Sequence, residues 1–294
     1  MQTSGPATDS ARRPRAPERG SAVWRYFGDA RNGLLGPTLL VLQVAHPVVG
    51  AGVQQHSNYR DEPWQRLMRT FFSLSTLVYG GEGGAAAEAA RLRRLHATIK
   101  GVDDQGRRYH ALRPDAYLWV HATLVHGGVD GHRVFGTGVP PEQLAEYYAQ
   151  MRDLGLILGL RERHLPPDWD SFCAYYDDVV LHTLEDNQAV RDVLESLRHP
   201  ARPFRPLPGP VWRPVARVSG GLAGLVAVGT LPPPLRERLD LPWTPQQERR
   251  LRGFAAAVRG GMALVPPPLR IAGAVAAARR PVGVAEPAPA RDRP

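Results

Sequence analysis

Apolar residues recur at intervals of three and four along most of this chain, a spacing that predicts helices from end to end. The first run opens at Pro37, a favourable first-turn residue, and continues through Leu39, Leu40, Val41, Leu42 and Val44 toward His56. Pro47 interrupts it: with no N–H to bond the carbonyl of Gln43, it is expected to kink the helix beside His46. A second helix is predicted from Asp61-Glu62-Pro63, acids and proline at the positive end, through Trp64, Leu67, Phe71, Leu74 and Val78 to a stop at Gly80-Gly81. A third covers 85–100, a polar loop follows over 102–113, and Pro114-Asp115 starts a fourth with Leu118, His121, Leu124 and Val125. Further helices are expected over 141–160, 169–183 and 187–197. Beyond a proline-rich connection, HPARPFRPLPGP, others follow over 215–228, 233–239, 244–263 and 267–278. No stretch alternates β-branched residues with period two, and no hairpin turn separates strand-like runs. The expected class is all-α.

Composition bounds this picture without changing it. A 294-residue chain that is 43% hydrophobic can bury a sizeable core. Residues 1–20 and 283–294 have little to bury and read as disordered ends; 21–200 reads as the helical core and 201–282 as a C-terminal helical appendage of the same domain. No window offers about 18 uninterrupted apolar residues, and 215–230 is broken by Arg217 and glycines, so no spanning helix is expected. The N-terminus has no apolar secretory region, so a cytoplasmic location is expected. The net charge of +9 is carried almost wholly by arginine, Lys100 being the one lysine, and the arginines are scattered among acids. That scatter, without a recognisable module, argues against nucleic acid as a partner. The single cysteine, Cys173, excludes an intramolecular disulfide and a cysteine-rich zinc site, and its neighbours Phe172, Tyr175 and Tyr176 suggest a buried, inert thiol.

Candidate chemistry sits on the predicted core helices. His96 lies one turn from both Leu92 and Ile99, His121 stands between Leu118 and Leu124, and His46 flanks the expected kink. Such a histidine is either a core residue satisfied by a backbone carbonyl or a metal ligand whose second nitrogen is fixed that way. Arg66, Arg69 and Thr70 share one face of the second helix. They form either a solvated face or a polar cluster reaching into an apolar pocket, suited to an anion, a propionate or an activated oxygen species. No G-x-S-x-G or H-E-x-x-H motif is present, and Glu-x-x-His pairs for a di-iron bundle are lacking. Gly80-Gly81-Glu82-Gly83-Gly84 follows a helix and lacks a Walker lysine, so it reads as a hinge or helix stop. The proline-flanked C-terminal helices could form a lid or touch a membrane surface.

Five stretches resemble, in order, the latex-clearing-protein (rubber oxygenase) catalytic-domain family with its uncharacterised bacterial branch. They are LLVLQVAHPVVGAGVQQHSNYRDEPWQRLMRTFFSL, RLRRLHATIKG, GRRYHALRPDAYLWVHATLVH, PPEQLAEYYAQM and LPPPLRERLDLPW. The resemblance implies a globin-like helical fold around haem b, with His96 as the iron ligand and Arg66 and Thr70 on the open side. Where rubber enzymes can offer the iron a lysine, this chain has Arg69, which stays protonated and would instead pair with a haem propionate. Rubber-cleaving members use a carboxylate on the preceding helix, whereas residues 30–60 contain no Asp or Glu, which sets the chain nearer the uncharacterised branch.

The expected function is therefore a haem b-dependent oxygenase that takes an apolar, unsaturated small molecule and dioxygen or peroxide, with His121 and His46 as further cofactor-binding candidates. The alternatives are a non-catalytic haem protein or a helical binder of lipids or terpenoids.

Overall fold

Proline opens most of the helices, and the chain changes direction where glycine, or a residue preceding proline, disfavours another helical step. The computed structural model describes residues 13–57, 62–203 and 208–279. Among these the fold is all-α: fourteen α-helices with one two-stranded ribbon. A short helix α1 (Ala22–Tyr26), capped by Ser21, and a 3₁₀ turn (Ala30–Leu35), capped by Asp29, precede the first expected helix; both are too short to show a periodic pattern.

The kink expected at Pro47 is a complete break. Helix α2 (Gly36–Val44) ends before it and α3 (Pro47–His56) begins at it, with Ala30–Val44 and Pro47–His56 meeting at 102°. His46 is extended (φ −73°, ψ 127°), as a residue before proline prefers. Helices α4 (Pro63–Tyr79) and α5 (Gly81–Ala97) follow, so the expected start at Asp61 falls outside the described residues. Helix α5 starts four residues earlier than its pattern suggested. Only Gly80 and Gly81 turn the chain, Gly81 with a positive φ of 67°, while Gly83 and Gly84 are helical rather than part of a hinge.

The polar loop expected over 102–113 contains a small antiparallel ribbon, β1 (Lys100–Val102) and β2 (Arg108–His110), with Lys100 opposite His110. Turn chemistry makes it, not alternation: the Asp103 carboxylate accepts from the N–H groups of Gln105 and Arg107 at 3.0 and 2.8 Å.

Helix α6 (Pro114–Phe135) runs through the core, where Trp119 and Phe135 are fully buried and the Trp119 indole donates to the Leu42 carbonyl at 2.8 Å. A Cβ on Gly128 or Gly131 would collide with Tyr147 or Asn32, so these glycines let neighbours approach the helix closely. Each weakens the isolated helix by about 1 kcal/mol, which the closer packing offsets.

Helices α7 (Pro141–Leu158), α8 (Trp169–His182) and α9 (Gln188–Arg198) complete the first group. Helix α10 (Gly209–Thr230) starts earlier than expected and accommodates Pro214, and it packs on α2 and α9. Helices α11 (Pro233–Arg238) and α12 (Pro245–Ala263) follow, the latter opened by a Thr244–Gln247 capping box. The last expected helix is split at Ile271 into α13 (Pro267–Arg270) and α14 (Ala272–Ala278), and α14 packs along α4. No single described helix is long and apolar enough to cross a membrane.

Candidate active site at the open end of a helical hairpin

Joined through Gly80 alone, α4 and α5 fold back on each other as an antiparallel pair. Their register is fixed midway, where the Ser73 hydroxyl donates to the buried Glu88 carboxylate. Arg91 grips the same carboxylate with two bonds, of 2.8 and 2.5 Å. Carried toward the open end, this register sets Arg66 and Thr70 of α4 level with the last two turns of α5, which carry His96. Arg66, Thr70 and Ser73 fall on one stripe of α4 by their spacing.

His96 is half-buried, and its Nδ1 is buried without a hydrogen-bond partner. Burial pushes its pKa below the ordinary value, and the Leu92 carbonyl one turn back opposes the shift without completing a bond of normal geometry. The ring is therefore neutral at pH 7, the form that ligates metals. Tyr117 of α6 meets it edge-on, with centroids 5.6 Å apart.

The other two candidate histidines stand elsewhere. His46 is 2% exposed beside Asp115 and Arg113, with its pKa lowered to about 4, chiefly by burial, which Asp115 partly opposes. His121 is buried, its Nε2 lies 2.9 Å from the Met151 carbonyl, and burial likewise lowers its pKa to about 4. Asp115 and Tyr117 are two residues apart on α6 and project to nearly opposite sides, so His46 and His96 approach that helix from opposite directions. The three rings do not converge. Among the described residues no group of three or more His, Cys, Asp or Glu is placed to hold a metal ion; a haem, whose porphyrin supplies most of the iron's ligands, would ask for one side chain.

At the open end α4 presents an uncovered apolar stripe. Trp64, Leu67, Met68 and Phe71 are 37%, 48%, 43% and 40% exposed, at the spacing that core-facing residues adopt. Arg69 and Thr70 beside them are exposed, while the Arg66 guanidinium donates to the Ser57 hydroxyl at the end of α3. The Trp64 indole is tied to the Ala201 carbonyl at 2.8 Å.

Neither of two open cavities among the described residues is lined by His96, Arg66 or Thr70. A small one of about 160 Å³ borders His46, Asp115 and Thr183. A larger cleft of about 700 Å³ lies between the N-terminal segment and α13–α14. A haem held by His96 would thus occupy the exposed ground beside the α4 stripe. The residues fit that role: a neutral imidazole, apolar side chains for the ring and cationic ones for its propionates.

Sequence reasoning passed over Glu88 and Tyr117. Glu88 had a signal, an acid inside an alanine-rich run with arginine three residues on, whereas the Tyr117 contact depends on how two distant helices meet.

Comparison with known proteins agrees over most of the chain. Residues 24–260 match the family described as ER-bound oxygenase mpaB/B'/rubber oxygenase, catalytic domain. Uncharacterized proteins of Mycobacterium bovis and Mycobacterium tuberculosis are each 27% identical over 237 residues, covering 79% of this chain and 89% of theirs. No solved structure gives a significant match.

Proposed function

The chain belongs to the ER-bound oxygenase mpaB/B'/rubber oxygenase catalytic-domain family, and we propose on that premise that it is a haem b-dependent oxygenase of an apolar, unsaturated small molecule. One observation carries the proposal: a neutral, half-buried imidazole, His96, level with Arg66, Thr70 and an apolar stripe that the described residues leave exposed. When bound, haem b would supply the redox chemistry with dioxygen or peroxide.

The chain's own residues have separable tasks. His96 would hold the iron through its neutral imidazole. Thr70 would donate a hydrogen bond to a bound oxidant, and Arg66, already oriented by Ser57, would direct positive charge at the same place. Arg69, exposed beside them, suits a propionate. Trp64, Leu67, Met68 and Phe71 would exclude water and orient an apolar substrate. Glu88 is held by Ser73 and Arg91, which makes it a fixed clamp of the hairpin rather than a free base. His121 ties α6 to α7 through the Met151 carbonyl and His46 is packed beside Asp115, so neither is assigned to the iron.

The test is spectroscopic. Protein expressed with haem supplementation should show a Soret band that His96→Ala abolishes or shifts while far-UV circular dichroism is unchanged. Oxygen uptake should then require a hydrophobic alkene as well. A fully loaded, spectrally unchanged His96→Ala protein would overturn the assignment, and loading without alkene-dependent oxygen uptake would reduce the protein to a haem carrier.

A further inference from the structure

The larger cleft lies at the other end of α4, near Tyr79, about 20 Å along the helix from Arg66 at the usual rise per residue. We propose that it is a second binding site, for an amphipathic anion: an alkyl chain headed by a phosphate or a carboxylate. Its volume of about 700 Å³ falls in the range of small-molecule sites, about 300–1,000 Å³. Segments remote in sequence build it, residues 19–31 from one side and 267–279 from the other.

The head group is specified by charge. Five arginines line the cleft against one acid, Asp29, and Arg31 already holds that acid with two bonds, of 2.8 and 2.6 Å. Arg19, Arg25, Arg270 and Arg279 therefore leave a surplus of positive charge facing the cavity. At its floor His132 is 3% exposed and bonded through Nε2 to the Tyr26 carbonyl at 3.2 Å. Burial lowers its pKa, and Arg31 and Arg270 push in the same direction. A bound anion would reverse that field.

The tail is specified by the walls. Pro267, Pro268, Ile271 and Val275 are aliphatic. The aromatic rings are already engaged: Tyr79 meets Trp24 edge-on at 4.7 Å, and Tyr26 carries His132 at 4.9 Å and the Arg25 guanidinium at 5.9 Å. Stacking a nucleobase needs a free aromatic face, so the cleft suits an alkyl chain better.

Calorimetry on the full chain tests this with four probes: dodecyl phosphate and laurate below their micellar range, inorganic phosphate, and dodecanol. Both amphiphiles should bind one to one, at least tenfold tighter than phosphate or dodecanol. Ala276→Trp, at an exposed cleft position of α14, should fill the space and weaken dodecyl phosphate at least tenfold. The double variant Arg25→Gln/Arg279→Gln should weaken dodecyl phosphate similarly and leave dodecanol unchanged. In NMR titrations the His132 pKa should rise when dodecyl phosphate binds. His96→Ala should bind dodecyl phosphate like the parent, which separates this site from the proposed haem site. Equal affinity for inorganic phosphate, indifference to Ala276→Trp, or binding only to phosphatidate vesicles and not to monomeric amphiphile would each overturn the proposal.

Discussion

The two ends of the α4–α5 hairpin are built from similar residues and finished differently. Toward Gly80, Leu77, Val78 and Tyr79 are buried, and Tyr79 donates to the Trp24 carbonyl at 2.9 Å. Toward the open end, Leu67, Met68 and Phe71 keep the same helical spacing but stand 40–48% exposed. A helix that presents apolar side chains along its whole length, yet is covered by the described residues over only half of it, carries a face open to a ligand among those residues. The hairpin thus separates a structural half from a half available to a ligand, and His96 lies in the second.

The largest effect that can break this comparison is in stability. Leu77→Ala should cost about 2–5 kcal/mol, because it opens a cavity in packed interior. Leu67→Ala in haem-free protein should stay within about 0.5 kcal/mol, as surface changes do. Urea melts of the two variants measure both; comparable losses would mean that the stripe is packed in solution and unavailable.

Protons test how sealed the interior histidines are. His46 and His121 are held at about pKa 4 against an ordinary 6.5, each chiefly by burial. Unfolding restores the ordinary value, so between pH 6.5 and 4 the unfolded chain takes up protons that the folded chain refuses. Neither histidine makes stability depend on pH above 6.5, and stability falls as pH drops through that window. The loss reaches on the order of 3 kcal/mol per histidine at its lower end, from about 1.4 kcal/mol per pKa unit. Melts of the parent and of His46→Gln between pH 7 and 4 should show a shallower fall for the variant; parallel curves would mean that water reaches His46.

How far the hairpin and its site could be read from the chain follows from which forces are local. Pro47, Pro63 and Gly80 act within a turn, so the helix limits they impose were legible, although the severity of the break at His46 was not. His96 was legible as an imidazole on an apolar face, and the role proposed for it came from the family resemblance. What stayed hidden depends on long-range approach. The Ser73–Glu88 register, the opposed placement of Asp115 and Tyr117, and the arginine-lined cleft joining both ends of the chain leave no periodic trace. The β1–β2 ribbon was hidden differently: three-residue strands are too short to alternate visibly, and Asp103 closes the turn by side-chain bonds.

Ligand linkage sharpens the comparison next. A ligand that binds only the folded chain stabilises it by about 2.7 kcal/mol at a hundredfold excess over Kd. Haem added to the apo protein should raise the melting temperature correspondingly. His96→Ala should remove most of that gain, and Phe71→Ser should reduce it without changing apo stability. Equal gains in the parent and in both variants would place the haem elsewhere on the molecule.

The smallest expected effect bears on why the open end is aligned at all. Ser73→Ala removes one hydrogen bond to Glu88 while Arg91 keeps both of its own, so its cost should be about 1 kcal/mol. Glu88→Gln loses the negative charge that both partners address and should cost more, because Arg91 is left facing a neutral amide. If Glu88 sets the register that brings Arg66 and Thr70 level with His96, Glu88→Gln should also weaken haem binding beyond its effect on stability, and Ser73→Ala should do so only slightly. Soret titrations of both variants at a temperature where each is fully folded separate the two quantities. An unchanged haem affinity in Glu88→Gln would show that packing between α4 and α5 alone holds the register, and that the buried carboxylate only stabilises the pair.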